Sequence, residues 1–193
     1  MTDPSRCPWP GLAHPLYLDY HDREWGVPRR DDRRLFELLL LEGAQAGLSW
    51  LSVLQRREGY RAAFGGFDPL HLASLTDDDL AALLVDRRII RNRAKLRSAV
   101  GNARAFLALT DVEGPFHDWL WSYVDHRPIQ NRWRTLDEVP AETDLSRAIS
   151  RELRRRGFSF VGPTIVYAFM QSAGVVNDHL VSCFRHREVA ALG

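Results

Sequence analysis

The 193-residue chain has one lysine, Lys95, and only two cysteines, Cys7 and Cys183. A single lysine leaves one candidate for Schiff-base chemistry. Two cysteines at opposite ends of the chain exclude a disulfide-dense secreted scaffold. Long apolar runs are missing too: runs such as the four leucines 38–41 are far too short to span a bilayer. Residues 1–7 contain no apolar signal core. Net charge is only +1, so the molecule as a whole is not a basic nucleic-acid binder. No stretch alternates apolar and polar residues between hairpin turns, and no repeat or linker stands out. These absences predict a cytoplasmic, non-membrane protein of one domain, residues 1–193.

What is present reads almost throughout as helix. With 45% hydrophobic and 26% charged residues, a sizeable core can form. Helical periodicity covers residues 31–46, with Gly47 as a stop, and 49–64, with Ser49 as N-cap. Thr76-Asp77-Asp78-Asp79 resembles a capping signal opening a helix over 80–85. Further helices are expected over 92–109, 116–124, 144–156, 163–173 and 176–184. Pro163 suits a first turn and Gly174 a helix end. Residues 65–66, 114–115 and 127–140 read as loops. The fold class is all-α.

Charge is unevenly placed. Residues 86–104 hold seven basic residues and one acid. There, 83–95 joins two helical patterns through a short basic turn, like the helix–hairpin–helix modules that seat one phosphate on backbone N–H groups and basic side chains. That places a DNA-contacting part at about 65–125, with Arg91, Arg93 and Lys95 as candidate contacts. The turn lacks the usual glycines, with Arg88 and Ala94 standing where glycine is expected. An ordinary helical hairpin fits the same pattern.

Each cysteine has histidine company. Cys7 precedes His21 by fourteen positions, and His179 precedes Cys183 by four, which puts both on one face of a helix. The set is Cys2His2, a donor group for tetrahedral zinc, and four protein ligands would make the site structural rather than catalytic. Two buried cysteines near unrelated histidines would give the same spacing.

The N-terminal third is dense in aromatics: Trp9, Tyr17, Tyr20, Trp25 and Trp50. Glu42 interrupts an otherwise apolar helix and must be paired, exposed at a cleft, or raised in pKa. Together they outline a pocket in which aromatic faces stack on a flat base and a carboxylate compensates a cationic one. Core packing accounts for any one of the aromatics taken singly.

Five runs carry a resemblance. They are residues 20–28 (YHDREWGVP), 41–50 (LEGAQAGLSW), 101–105 (GNARA), 156–162 (RGFSFVG) and 176–179 (VNDH). Through them the chain resembles the DNA-3-methyladenine glycosylase I family from Arg6 to Cys183. The resemblance implies one glycosylase domain with a helix–hairpin–helix element and one structural zinc joining the termini, held by Cys7, His21, His179 and Cys183. It puts base recognition on Glu42, stacking on Trp50 and a polar contact on Tyr20, with Tyr17, Trp9 and Trp25 lining the pocket. The implied substrate is double-stranded alkylated DNA, the implied reaction monofunctional excision of 3-methyladenine, and the expected state a monomer. Ala44 and Pro163 depart from the family's more usual polar residues. A DNA-binding module without catalysis would keep the zinc and the hairpin but need no Glu42. A zinc deaminase is disfavoured, because no His-x-Glu accompanies a Cys-x-x-Cys.

Overall fold

The Thr76 signal closes as a full capping box: the Thr76 hydroxyl accepts from the Asp79 amide, and the Asp79 carboxylate from the Thr76 amide. It opens a short helix whose partner across the hairpin is the longest of the fold. The computed structural model describes residues 4–193. Its helices are α1 (Pro15–Arg23), α2 (Asp32–Gln45), α3 (Trp50–Leu54), α4 (Arg57–Ala63), α5 (Pro69–Ser74), α6 (Asp77–Leu83), α7 (Arg93–Glu113), α8 (Phe116–Ser122), α9 (Asp144–Arg155), α10 (Pro163–Ser172) and α11 (Phe184–Ala190).

Helix α2 is the axis of the core. Every residue from Leu35 to Ala44 is buried, so the helix is enclosed on all faces instead of showing one apolar stripe. It packs against α10, α7, α8 and α3. Just past the end of helix α10, Gly174 has φ +72°, and a Cβ there would sit 2.3 Å from the Val27 carbonyl carbon. The glycine is thus required both by conformation and by close packing. Helix α7 packs on α5 and α6. Asn102 of α7 donates to the Ser159 carbonyl at 3.0 Å and accepts from the Ser159 amide at 2.8 Å. This pair fixes the 157–162 loop, where Phe160 lies against Gly43 of α2.

Three local expectations differ from the structure. The helix expected over 49–64 is two, α3 and α4, divided at Gln55–Arg56; the division lets Val53 and Leu54 bury separately from Tyr60 and Phe64. The loop expected over 127–140 contains a strand, Ile129–Gln130 (β1), which pairs in parallel with Val176–Asn177 (β2). The helix expected over 176–184 is absent: β2 and a turn occupy it, and α11 starts at Phe184. Here polar side chains outcompete the helix ladder for backbone groups. Asn177 accepts from the His179 amide at 3.3 Å and donates to the His186 carbonyl at 3.0 Å. The all-helical class stands, with this small sheet as its exception.

The hairpin between α6 and α7 needs no glycine, because no residue from 86 to 94 has a positive φ. The glycine is on the facing helix. A Cβ on Gly59 of α4 would lie 2.2 Å from the Arg88 carbonyl oxygen, so α4 lets the hairpin backbone approach. Among the described residues no helix is long and apolar enough to cross a membrane.

Candidate active site and metal centre

Two acids lie buried on α2, and their surroundings separate them. Glu37 meets Arg34 at 2.8 Å and Arg61 at 2.8 Å. Glu42, 4% exposed, has no ion pair among the described residues. Burial pushes its pKa up to about 8, with the Ser172 hydroxyl pulling weakly the other way. Helix α2 thus holds a neutralised carboxylate and, five residues on, one without an ion pair among the described residues.

Glu42 faces a cavity of about 420 Å³. Trp9, Tyr17, Tyr20, Trp25 and Trp50 line it as well, so all six residues singled out in the sequence meet in one place. Tyr20 and Trp50 lie 5.4 Å apart between ring centroids, Trp9 and Tyr17 5.3 Å, and Trp9 and Trp25 4.6 Å. Burial and the nearby Glu42 carboxylate raise the Tyr17 and Tyr20 hydroxyls. The Trp50 indole N–H is buried without a hydrogen-bond partner among the described residues, which leaves one donor for an acceptor on a ligand. Glu42 and Trp50 flank the turn that Gly47 makes at φ +76°, and Leu48 stands 43% exposed on it.

The far wall was not foreseen. Leu136, Val139 and Pro140 come from the segment after β1, and Tyr167 and Gln171 from α10. Asp178 anchors both. It accepts from Asn131 at 2.6 Å, Trp133 at 2.8 Å, Tyr167 at 2.6 Å and Gln171 at 2.8 Å. An acid beside the metal-type histidine was the available signal.

Behind Trp9 and Trp25 lie the four candidate ligands. Cys7, His21, His179 and Cys183 are buried, and their donor atoms fall within 4.8 Å of one another. His179 and Cys183 belong to a turn, not to one helix face. Sulfur and nitrogen stand 3.7 Å apart for Cys7–His179, 3.6 Å for Cys183–His179 and 3.7 Å for Cys183–His21. A tetrahedral ion with metal–sulfur and metal–nitrogen bonds of about 2.3 and 2.05 Å gives edges of about 3.6 Å, so the cluster could hold a metal ion. The outer shell agrees. The second ring nitrogen of His21 meets Asp22 at 2.7 Å, and that of His179 donates to the Trp25 carbonyl at 3.1 Å. Arg6 donates in turn to Asp22. Contact between the two thiols pushes Cys183 down and Cys7 up. Alone, then, the pair keeps one thiolate where a cation would allow two. The cluster joins the N-terminal segment to the turn before α11, and the Phe184 amide reinforces the clip by donating to the Ser5 carbonyl at 2.9 Å.

A family model described as methyladenine glycosylase matches residues 9–186. The chain belongs to the methyladenine glycosylase family. DNA-3-methyladenine glycosylase 1 of Escherichia coli (strain K12) is 50% identical over 179 residues, covering 93% of this chain and 95% of its own. A crystal structure of a 3-methyladenine DNA glycosylase I superimposes with TM-score 0.90 at 48% identity, covering 93% of this chain and 98% of that one. The glycosylase I of Staphylococcus aureus, solved to explain 3-methyladenine recognition, gives TM-score 0.88 at 37% identity over 90% and 93%.

On the hairpin of this methyladenine glycosylase family member, Arg91 and Arg93 are exposed and form no ion pair among the described residues. Lys95, the third expected phosphate contact, is half-buried and turned toward the end of α2. Its ammonium group donates to the carbonyls of Ala44 and Ala46, both at 2.7 Å.

Proposed function

We propose that the chain is a monofunctional DNA glycosylase that extrudes 3-methyladenine from double-stranded DNA and hydrolyses its N-glycosidic bond, starting base excision repair. The observation that carries this reading is the buried Glu42 carboxylate, without an ion pair among the described residues, in an aromatic cavity. Methylation at N3 makes the base cationic and weakens its bond to the sugar. A flat cation is the ligand that an uncompensated carboxylate among aromatic rings selects.

The nucleotide swings out of the duplex, Trp50 stacks on the base, and Tyr20 and Glu42 read its edge. Leu48, exposed between Glu42 and Trp50, enters the gap left in the base stack. The C1′–N9 bond breaks with its electron pair going to N9, which neutralises the base, while positive charge passes to the sugar. Water adds to C1′ and loses a proton, leaving an abasic site and neutral 3-methyladenine. The leaving base needs no added proton, so no dedicated general acid is required. The one lysine is engaged with two carbonyls, in keeping with hydrolysis over Schiff-base chemistry.

Arg91 and Arg93 contact phosphate. Cys7, His21, His179 and Cys183 hold one Zn2+, whose donor set and spacing the cluster fits. With all four positions filled by protein, zinc would supply rigidity between the termini. Two free thiols fit a reducing, cytoplasmic setting. One chain supplies every pocket and ligand residue, so the unit is a monomer, its helix–hairpin–helix part at about residues 65–125. Incubation with methylated duplex DNA tests the reading: 3-methyladenine is released, and DNA binding without any released base would replace the enzyme by a damage-binding module.

A further inference from the structure

We propose that Lys95 is a positioning residue for the base pocket, holding the end of the Glu42 helix from the DNA-facing hairpin. The inference rests on the glycosylase reading above. Helix α2 stops at Gln45, so its last carbonyls have no partner within the helix. Lys95 takes the carbonyl of Ala44, in the last turn, and that of Ala46, the capping residue. A cation at a helix C-terminus is favoured by the helix dipole as well as by the two hydrogen bonds. Partial burial lowers the pKa of the ammonium group, as expected for a group turned inward.

The position of Lys95 in its own helix matters equally. Its amide donates to the N-cap Asn92 at 3.1 Å, so it sits in the first turn of α7, directly after Arg91 and Arg93. One side chain thus spans from the hairpin turn to Ala44 and Ala46, just ahead of the turn at Gly47. That turn separates Glu42 from Trp50. Seating the hairpin on DNA and aligning the carboxylate with the stacking ring become parts of one rigid arrangement. Two of the three ammonium donors are taken by these carbonyls, so any phosphate contact is left the third alone.

The test uses the full-length, metal-loaded protein with Lys95→Met, which keeps the apolar stem and removes the cation. Three readouts are taken: affinity for free 3-methyladenine by tryptophan fluorescence, excision from duplex DNA, and the salt dependence of DNA binding. Loss of positioning lowers both base affinity and kcat by about 10- to 100-fold and leaves the salt slope unchanged. A slope shallower by about one with unchanged base affinity makes Lys95 a phosphate contact and overturns the proposal. Unchanged values on all three readouts overturn it as well. Nitrogen-15 labelling of lysine in the wild type needs no variant. The chain has one lysine, so it gives one ammonium resonance, protected from solvent exchange if the carbonyls hold it. A rapidly exchanging ammonium refutes the geometry. A wild type that releases no 3-methyladenine sinks the glycosylase reading instead, while the resonance still decides whether Lys95 holds the helix end.

Discussion

Glu42→Gln changes one oxygen to an amide nitrogen and removes a titration from the middle of the core. In the folded protein the pKa of Glu42 is about 8 against an ordinary 4.5. The native state therefore keeps a proton that the unfolded chain releases, and stability falls as pH rises through that window. The difference of 3.5 units, at about 1.36 kcal/mol per unit, amounts to about 5 kcal/mol above pH 8 and about 3 kcal/mol at pH 7. Glutamine never pays this penalty. The variant should match the wild type near pH 4.5 and gain on it by about 1.4 kcal/mol per pH unit up to pH 8. Urea unfolding of both proteins, metal-saturated, at pH 5, 6, 7 and 8 measures it. The histidines and thiols titrate in both proteins, so they cancel in the difference. Excision moves the other way: glutamine cannot compensate a cation, and wild-type kcat/KM should rise with pH and level off above about 8. A stability difference independent of pH, or a variant less stable than wild type at pH 8, would refute an uncompensated carboxylate at this position.

Asp22→Asn weakens the hold on His21 and should lower zinc affinity by roughly 10- to 100-fold, read by competition with a chelator while the folded far-UV spectrum persists. Stripping the proposed zinc with a strong chelator should expose two thiols to a thiol reagent and lower the melting temperature, since both cysteines are buried and outside any disulfide; thiols that stay unreactive would argue against a metal clip. Gly59→Ala forces a methyl group toward the Arg88 carbonyl oxygen and should weaken DNA binding by displacing the hairpin, with free-base affinity unchanged. Arg91→Ala should weaken binding alike on methylated and plain duplexes and reduce the salt slope by about one.

Periodicity made most of the helices legible because they bury apolar residues, though α1, α5 and α11 were not among those expected; it failed where side chains other than the apolar ones decide. Val176, Leu180 and Phe184 space like a helix, yet Asn177 and Asp178 spend their polar atoms on Gln130, His186, Asn131, Trp133, Tyr167 and Gln171. Three of those partners are more than forty residues away and leave no trace in local spacing. The hairpin's missing glycines misdirect for the same reason, since the glycine that permits close approach is Gly59 on another helix.

The pocket shows the limit most sharply, on a single helix. Glu37 and Glu42 are five residues apart and both buried on α2. The sequence singled out Glu42 but could not show what separates it from Glu37, because the residue that neutralises Glu37 from outside the helix is Arg61, 24 positions on. A charge is functional here by virtue of what fails to meet it, and that is a property of the folded neighbourhood alone. The two readings of Glu42 as a wasteful core residue and as a cation receptor make opposite demands on its neighbours. A receptor needs an open cavity, aromatic walls and no arginine within reach. Glu42 has all three, and Glu37, five residues earlier, has two arginines.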